Sequence, residues 1–336
     1  MKPLFTGLLL ATSLTPALAY AEVGSVYKMR EFSYRNAEEK AQLENAALKV
    51  LRSAYESFPE VDNCYAGNVT SEQKRRVLKE LNAIRRVHGL EEVAYDATKD
   101  RATAASALIS AANNRLDHYP NNRMKCYSQA GYEGSSRSNL QLSNSNLVFI
   151  REDAAERTVD ELIIDDNVYS LGHRLWFLDP FLGNISYGRA TKVDRNKYVT
   201  DAASIYVGNE RSNILNTKAN YVAYPYQNYK ANWFLHDWFH SFSVIVDKNE
   251  KTFNRTSVDY AKAEIRVSSA DGRAMKVTDI SYTVPNARQG YVGLGNVIQW
   301  RVSGTRNNER YSVRIKNVLV NGVAKDYEYW FKVQGN

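Results

Sequence analysis

The chain is poor in the residues that build stapled, metal-knotted or membrane-spanning proteins. Of 336 residues only 2 are Cys, 5 are His and 7 are Pro. Two cysteines exclude a zinc-binding cysteine cluster, which needs four thiolate or imidazole ligands at set spacings. After the first twenty residues no apolar run reaches the length of a membrane-spanning helix. The net charge of +7 is mild for this length and has no dense basic stretch. A nucleic-acid-binding arm is therefore excluded, while contact with acidic surfaces is favoured. The chain also has no His-Glu-x-x-His helix and no Gly-x-Ser-x-Gly elbow, so neither common hydrolase signature is written in it.

What is present begins with a leader. Lys2 precedes an apolar run from Leu4 to Leu14, and Pro16-Ala17-Leu18-Ala19 supplies small residues for cleavage. Residues 1–19 read as a signal peptide cut after Ala19, so the mature chain is expected to be exported. In an oxidising compartment Cys64 and Cys126 are expected to pair. The closed loop of about 60 residues would contribute about 3–4 kcal/mol by restricting the unfolded chain.

The length suggests two domains. Residues 20–60 read as a charged helical extension, with Leu43, Ala47, Val50, Leu51 and Ala54 on one face. Thr70-Ser71-Glu72-Gln73 fits a capping box, and Gly89 fits a C-terminal stop. His88, just before it, is read as a last-turn residue suited to the helix dipole. An alanine-rich helix is expected over 96–113 and another over 152–164. Residues 121–146 are polar and read as a long surface segment with a short helix near its end. Strands are expected at 184–190 and 203–207. From Tyr221 several short strands follow, with Asp271-Gly272 and Asn321-Gly322 as hairpin turns, which suggests a small β-sandwich over 221–336.

Two of the five histidines sit in ordered settings, Leu116-Asp117-His118-Tyr119-Pro120 and Gly172-His173-Arg174-Leu175-Trp176. Imidazoles distant in sequence can converge as metal ligands or as an acid–base pair; each alone reads as a hydrogen-bonded structural group. His236 and His240 have the i,i+4 spacing of a helical metal pair but no third partner. The aromatic-dense stretch 221–240 reads as inter-domain packing, with sugar or lipid contact as the alternative.

An ordered series of motifs carries a resemblance. Leu81-Asn82-Ala83-Ile84-Arg85, Gly89-Leu90, Tyr95-Asp96, the alanine-rich helix, His118, Gly172-His173-Arg174 and Ile185-Ser186-Tyr187-Gly188 follow one another. The chain is similar over roughly residues 65–210 to the CAP superfamily of cysteine-rich secretory, antigen 5 and pathogenesis-related proteins, in its bacterial form. Tyr221-Val222-Ala223-Tyr224-Pro225 resembles the entry into an Ig-like domain that follows it in some bacterial members.

The resemblance implies an α+β fold: an α-β-α sandwich over 61–220, then the small all-β sandwich. It implies a cleft lined by two histidines and two acids able to hold zinc. Carried over, the histidines are His118 and His173. Ser138, in Arg137-Ser138-Asn139-Leu140, stands where the family has a Glu. The other acid is Asp165 or Glu161, one helical turn apart. Arg174 is expected to pair with Asp179 or Asp165. The implied role is an extracytoplasmic binding module for a lipid, an envelope glycan or a protein partner. A metal-dependent hydrolase or peptidase and a structural envelope protein are the alternatives.

Overall fold

The computed structural model describes residues 36–284 and 293–335. The leader predicted over 1–19 and the first part of the helical extension lie outside the described residues. Among the described residues the extension is a helix over Ala37–Ser53 (α1), capped by Asn36, whose side chain accepts the Glu39 N–H. Its buried face carries Ala47 and Leu51, as the periodicity requires. The chain then leaves the helix for a short strand pair, Tyr55–Ser57 (β1) with Asn68–Val69 (β2). The Cys64–Cys126 disulfide is formed, with the two Cα atoms 5.1 Å apart.

The next helix runs over Ser71–Val87 (α2), where the Thr70 hydroxyl accepts the Gln73 N–H at 3.3 Å. Strand Ala94–Tyr95 (β3) and helix Asp100–Asn113 (α3) follow. The polar segment after it is more ordered than its composition suggests. It folds as a helix, Gln129–Ser136 (α4), and a nine-residue strand, Ser138–Asn146 (β4). The alternation of apolar and polar residues is faint in this strand. The strand lies at a sheet edge, and its polar side chains bond neighbours, as when Thr200 donates to Asn144 and Asn139 to a main-chain carbonyl. Helices Ala154–Ile164 (α5) and Gly172–Phe177 (α6) precede a long hairpin, Leu182–Val193 (β5) and Tyr198–Glu210 (β6).

The sheet order is β3-β5-β6-β4. Its strands present alternate residues to two helical layers. Ile185, Tyr187, Ala203, Ile205 and Val207 join the core with Val77, Leu81, Ile84 and Val159 from α2 and α5. Ala190, Ala202 and Leu142 face Ala107, Leu108 and Ala111 of α3. The three-layer arrangement expected from the sequence is thus present. Small residues let α3 sit close to the sheet: a Cβ on Gly188 would come within 2.3 Å of the backbone of Thr103 and Ala104.

Among the described residues the C-terminal part is all-β apart from two helical turns, Ala231–Trp233 and Phe253–Thr256. Strands Tyr221–Tyr224 (β7), Phe239–Val244 (β9), Lys276–Tyr282 (β12) and Ile298–Ser303 (β13) form a sheet in the order β12-β13-β9-β7. Strands Val258–Asp259 (β10), Arg310–Val320 (β14), Val323–Gln334 (β15) and Gln227–Lys230 (β8) form the other, with Glu264–Ser269 (β11) also on β14. Asn321 and Gly322 both take positive φ in the β14–β15 turn, as the sequence signal requires. Aromatic pairs such as Phe242–Tyr329 and Tyr311–Phe331 fill the space among these strands.

Candidate functional site

Helix α3 ends at Asn114, which takes a left-handed conformation. The loop beyond it is turned by Asp117, whose carboxylate accepts the Tyr119 N–H at 2.9 Å. This turn sends the exposed His118 ring to the Ser135 carbonyl, with Nδ1 at 2.9 Å from the oxygen. A carbonyl only accepts, so Nδ1 carries the proton and Nε2 is left with the lone pair.

His173 lies in the first turn of α6. Asp165 caps α5 in a left-handed conformation, which swings its side chain off the helix face and toward α6. Its Oδ1 accepts from His173 Nδ1 at 2.7 Å and its Oδ2 accepts the Arg174 N–H at 3.1 Å. The Asp165 side chain is wholly buried, while 19% of the His173 side chain is exposed. A buried carboxylate on Nδ1 fixes the ring and again leaves Nε2 free.

The two histidines hang on one short piece of chain. His118 bonds the carbonyl of Ser135, and the His173 carbonyl accepts the Asn139 side chain at 2.9 Å. These anchors are four positions apart in the chain, so their Cα atoms stand at most about 14 Å apart. Ser138 lies between them, with a buried hydroxyl that finds no partner among the described residues.

Of the two candidate acids only Asp165 bonds an imidazole among the described residues. Both Asp165 oxygens are taken, and Asp165 meets His173 at the nitrogen opposite the one a metal would use. Glu161 accepts from Gln141 and, at 3.3 Å, from Arg157. Among the described residues no three of His, Cys, Asp and Glu come together as a metal-binding group. A catalytic zinc site needs three protein ligands, and two imidazoles with a buried serine hydroxyl do not fit that requirement.

Arg174 does not pair with a carboxylate side chain as expected. Its fully buried guanidinium donates to the carbonyls of Ile163, Ile164 and Phe239. It lies 3.7 Å from the centre of the Tyr224 ring. Asp179 is instead held by Lys251. The Phe239 and Tyr224 contacts lock α6 to the outer face of the β7–β9 sheet. Trp238 adds an indole N–H to the Asp165 carbonyl at 3.1 Å. The aromatic stretch 221–240 therefore packs the two parts together around the residue that orients His173. The density of aromatics pointed to this junction; nothing in the sequence pointed to the carbonyl cage.

The remaining histidines are structural. His88 does not serve the helix dipole as a cation: burial, and then Arg85, push it down to about 3. Its Nε2 lies 3.2 Å from the Tyr229 hydroxyl at the junction. His236 and His240 do not form a helical pair, because His240 is on strand β9. His236 bonds Thr305 and Asn307, and His240 stacks on Trp300. Burial, with Arg174 and His236 nearby, pushes His240 down to about 3.

No helix among the described residues is long and apolar enough to cross a membrane. Comparison with curated proteins gives no match to the chain. A family model described as CAP, the cysteine-rich secretory protein family, matches residues 78–246. That match runs from the middle of α2 through β9 and includes His118, His173, Asp165 and the junction with the first C-terminal strands. The chain therefore belongs to the CAP family of cysteine-rich secretory proteins.

Proposed function

We propose that this protein is an exported binding module whose cleft presents His118 and His173 through their Nε2 atoms to a ligand outside the cytoplasm. The observation that carries this reading is the fixing of both rings at Nδ1 by acceptors, with no metal-binding group of three His, Cys, Asp or Glu among the described residues. Such a pair can hydrogen-bond a ligand through its two Nε2 lone pairs. The ligand class is a lipid, an envelope glycan or a protein partner. Export is supported by the family, the leader-like first residues and the disulfide. On this reading the C-terminal two-sheet part is the Ig-like companion of the CAP domain.

The Asp165–His173 pair favours one second reading. An imidazole oriented by a buried carboxylate is the arrangement of a general base. With Ser138 buried and unbonded to either histidine, that base would act on water.

One experiment separates the two. The mature protein and its His118→Ala and His173→Ala variants are titrated with phosphatidylglycerol vesicles and with neutral and acidic oligosaccharides, and product release is followed in parallel. Binding that falls at least tenfold in both variants, without turnover, is expected. Turnover that disappears in His173→Ala while the fold survives would replace the binding reading with the hydrolytic one.

A further inference from the structure

The outer face of strand β13 carries an arginine whose surroundings are half of a recognition site. Arg301 stands opposite Phe239 in the sheet. Its guanidinium carbon lies 4.6 Å from the Phe239 ring centre, 4.7 Å from Trp238 and 5.8 Å from Tyr169. These rings strip water from the cation and hold its plane. The edge of the guanidinium is not matched in the same way. Arg301 Nε is buried and has no hydrogen-bond partner among the described residues. Asp279, the carboxylate in ion-pair range, stands 3.8 Å from Nε, beyond hydrogen-bond distance. The ion pair with Asp279 is long and 27% of the Arg301 side chain stays exposed, so a carboxylate in the guanidinium plane would take two parallel bonds from it.

Beside this cation is an exposed ring. Tyr169, in the loop between α5 and α6, is 66% exposed. It is braced by edge contacts to Trp238 and Phe239, and its carbonyl accepts from Gln299 of β13. The same loop connects to the histidine site: Trp238 bonds the Asp165 carbonyl, and Asp165 holds His173. Arg301 comes from the β part and Tyr169 from the CAP part, so the pair exists only where the two meet.

We propose that Tyr169 and Arg301 form a subsite for a carboxylate-bearing sugar ring, the ring lying on Tyr169 and its carboxylate in the plane of Arg301. In a uronic acid the carboxyl carbon is bonded directly to the ring. Platform and cation are therefore met by one rigid unit with little entropy to lose. The +7 net charge favours the approach of such an acidic chain. Asp279 sits close enough to repel the ligand's carboxylate.

The proposal rests on the binding-module reading and deepens it. The test is calorimetric titration of the mature protein with a galacturonic acid oligomer and with the same oligomer methyl-esterified. Wild type is expected to bind the acid and to bind the ester at least tenfold more weakly. Arg301→Gln and Tyr169→Ala should each weaken acid binding about tenfold, and Asp279→Asn should tighten it severalfold. Equal binding by Arg301→Gln, or equal binding of the ester, overturns the subsite; if His173→Ala still weakens that binding, the binding-module reading stands. Equal competition by a short peptide with a free C-terminus overturns the sugar assignment. Absence of acid binding by folded wild type also overturns the subsite, while vesicle binding lost in the histidine variants would keep the broader reading.

Discussion

Replacing Arg174 with Met is expected to lower folding stability by about 4 kcal/mol. The substitution keeps length and apolar stem but removes every donor. The carbonyls of Ile163, Ile164 and Phe239 would be left buried without their partner, and the Tyr224 ring would lose the cation on its face. Phe239 lies on β9 while Ile163 and Ile164 end α5, so the loss falls on the seam between the two parts. Arg174→Lys is the informative intermediate. It keeps the charge but not the planar fork, and should cost about 2 kcal/mol. Urea unfolding measures both through a shifted midpoint at constant slope. A change below about 1 kcal/mol for Arg174→Met would show that the cage does not hold the parts together.

Asp160→Asn is expected to stabilise the protein, and to do so more as pH rises. Asp160 is buried on α5 with Oδ1 unpartnered. Burial first, and then Glu80, push it up to about 8 from 3.8; Glu161 adds to this, while Lys230 and Trp233 oppose it. Glu80 itself accepts from the Trp233 indole at 2.7 Å and pairs with Lys230. Between pH 4 and pH 8 the folded state holds one proton more than the unfolded state at this residue. Stability therefore falls as pH rises through that window and levels off above it. The amide removes this slope. The expected gain is about 5 kcal/mol at pH 9, fading to nothing below pH 4. Thermal or urea unfolding across pH 4–9 measures it, and parallel curves for wild type and variant would contradict the assignment. Because Lys230 and Trp233 belong to the junction, the same titration reports on its integrity.

Much of the fold was legible because its signals are local. Thr70 and Gln73 mark the start of α2, Gly89 its end, and Asn321-Gly322 the last hairpin. The two cysteines had only each other to bond. Strand β4 was hidden because only Leu140 and Leu142 alternate in it as buried apolar residues, while edge pairing and side-chain hydrogen bonds hold the polar remainder. His88 was misread because its surroundings, Tyr226 and Tyr229, arrive from more than 130 residues away.

The site was legible in part. His118 and His173 were marked by Asp117-His118-Tyr119-Pro120 and Gly172-His173-Arg174. The role of Asp165 was not, because it depends on a left-handed cap that turns the carboxylate away from the helix face. The expected helical equivalence of Glu161 and Asp165 ends at that one residue. Arg174 was taken for an ion-pairing group, since its charge is visible in sequence and the three carbonyls that satisfy it are not.

The most direct test of the account is the protonation of the two imidazoles. Long-range proton–nitrogen NMR on the mature protein, at a pH where histidine is neutral, reads which ring nitrogen carries hydrogen. The account predicts the Nδ1–H form for both His118 and His173, with both signals assigned by their alanine variants. The Nε2–H form at either residue would contradict it, since that ring would then turn its proton, not its lone pair, to the ligand.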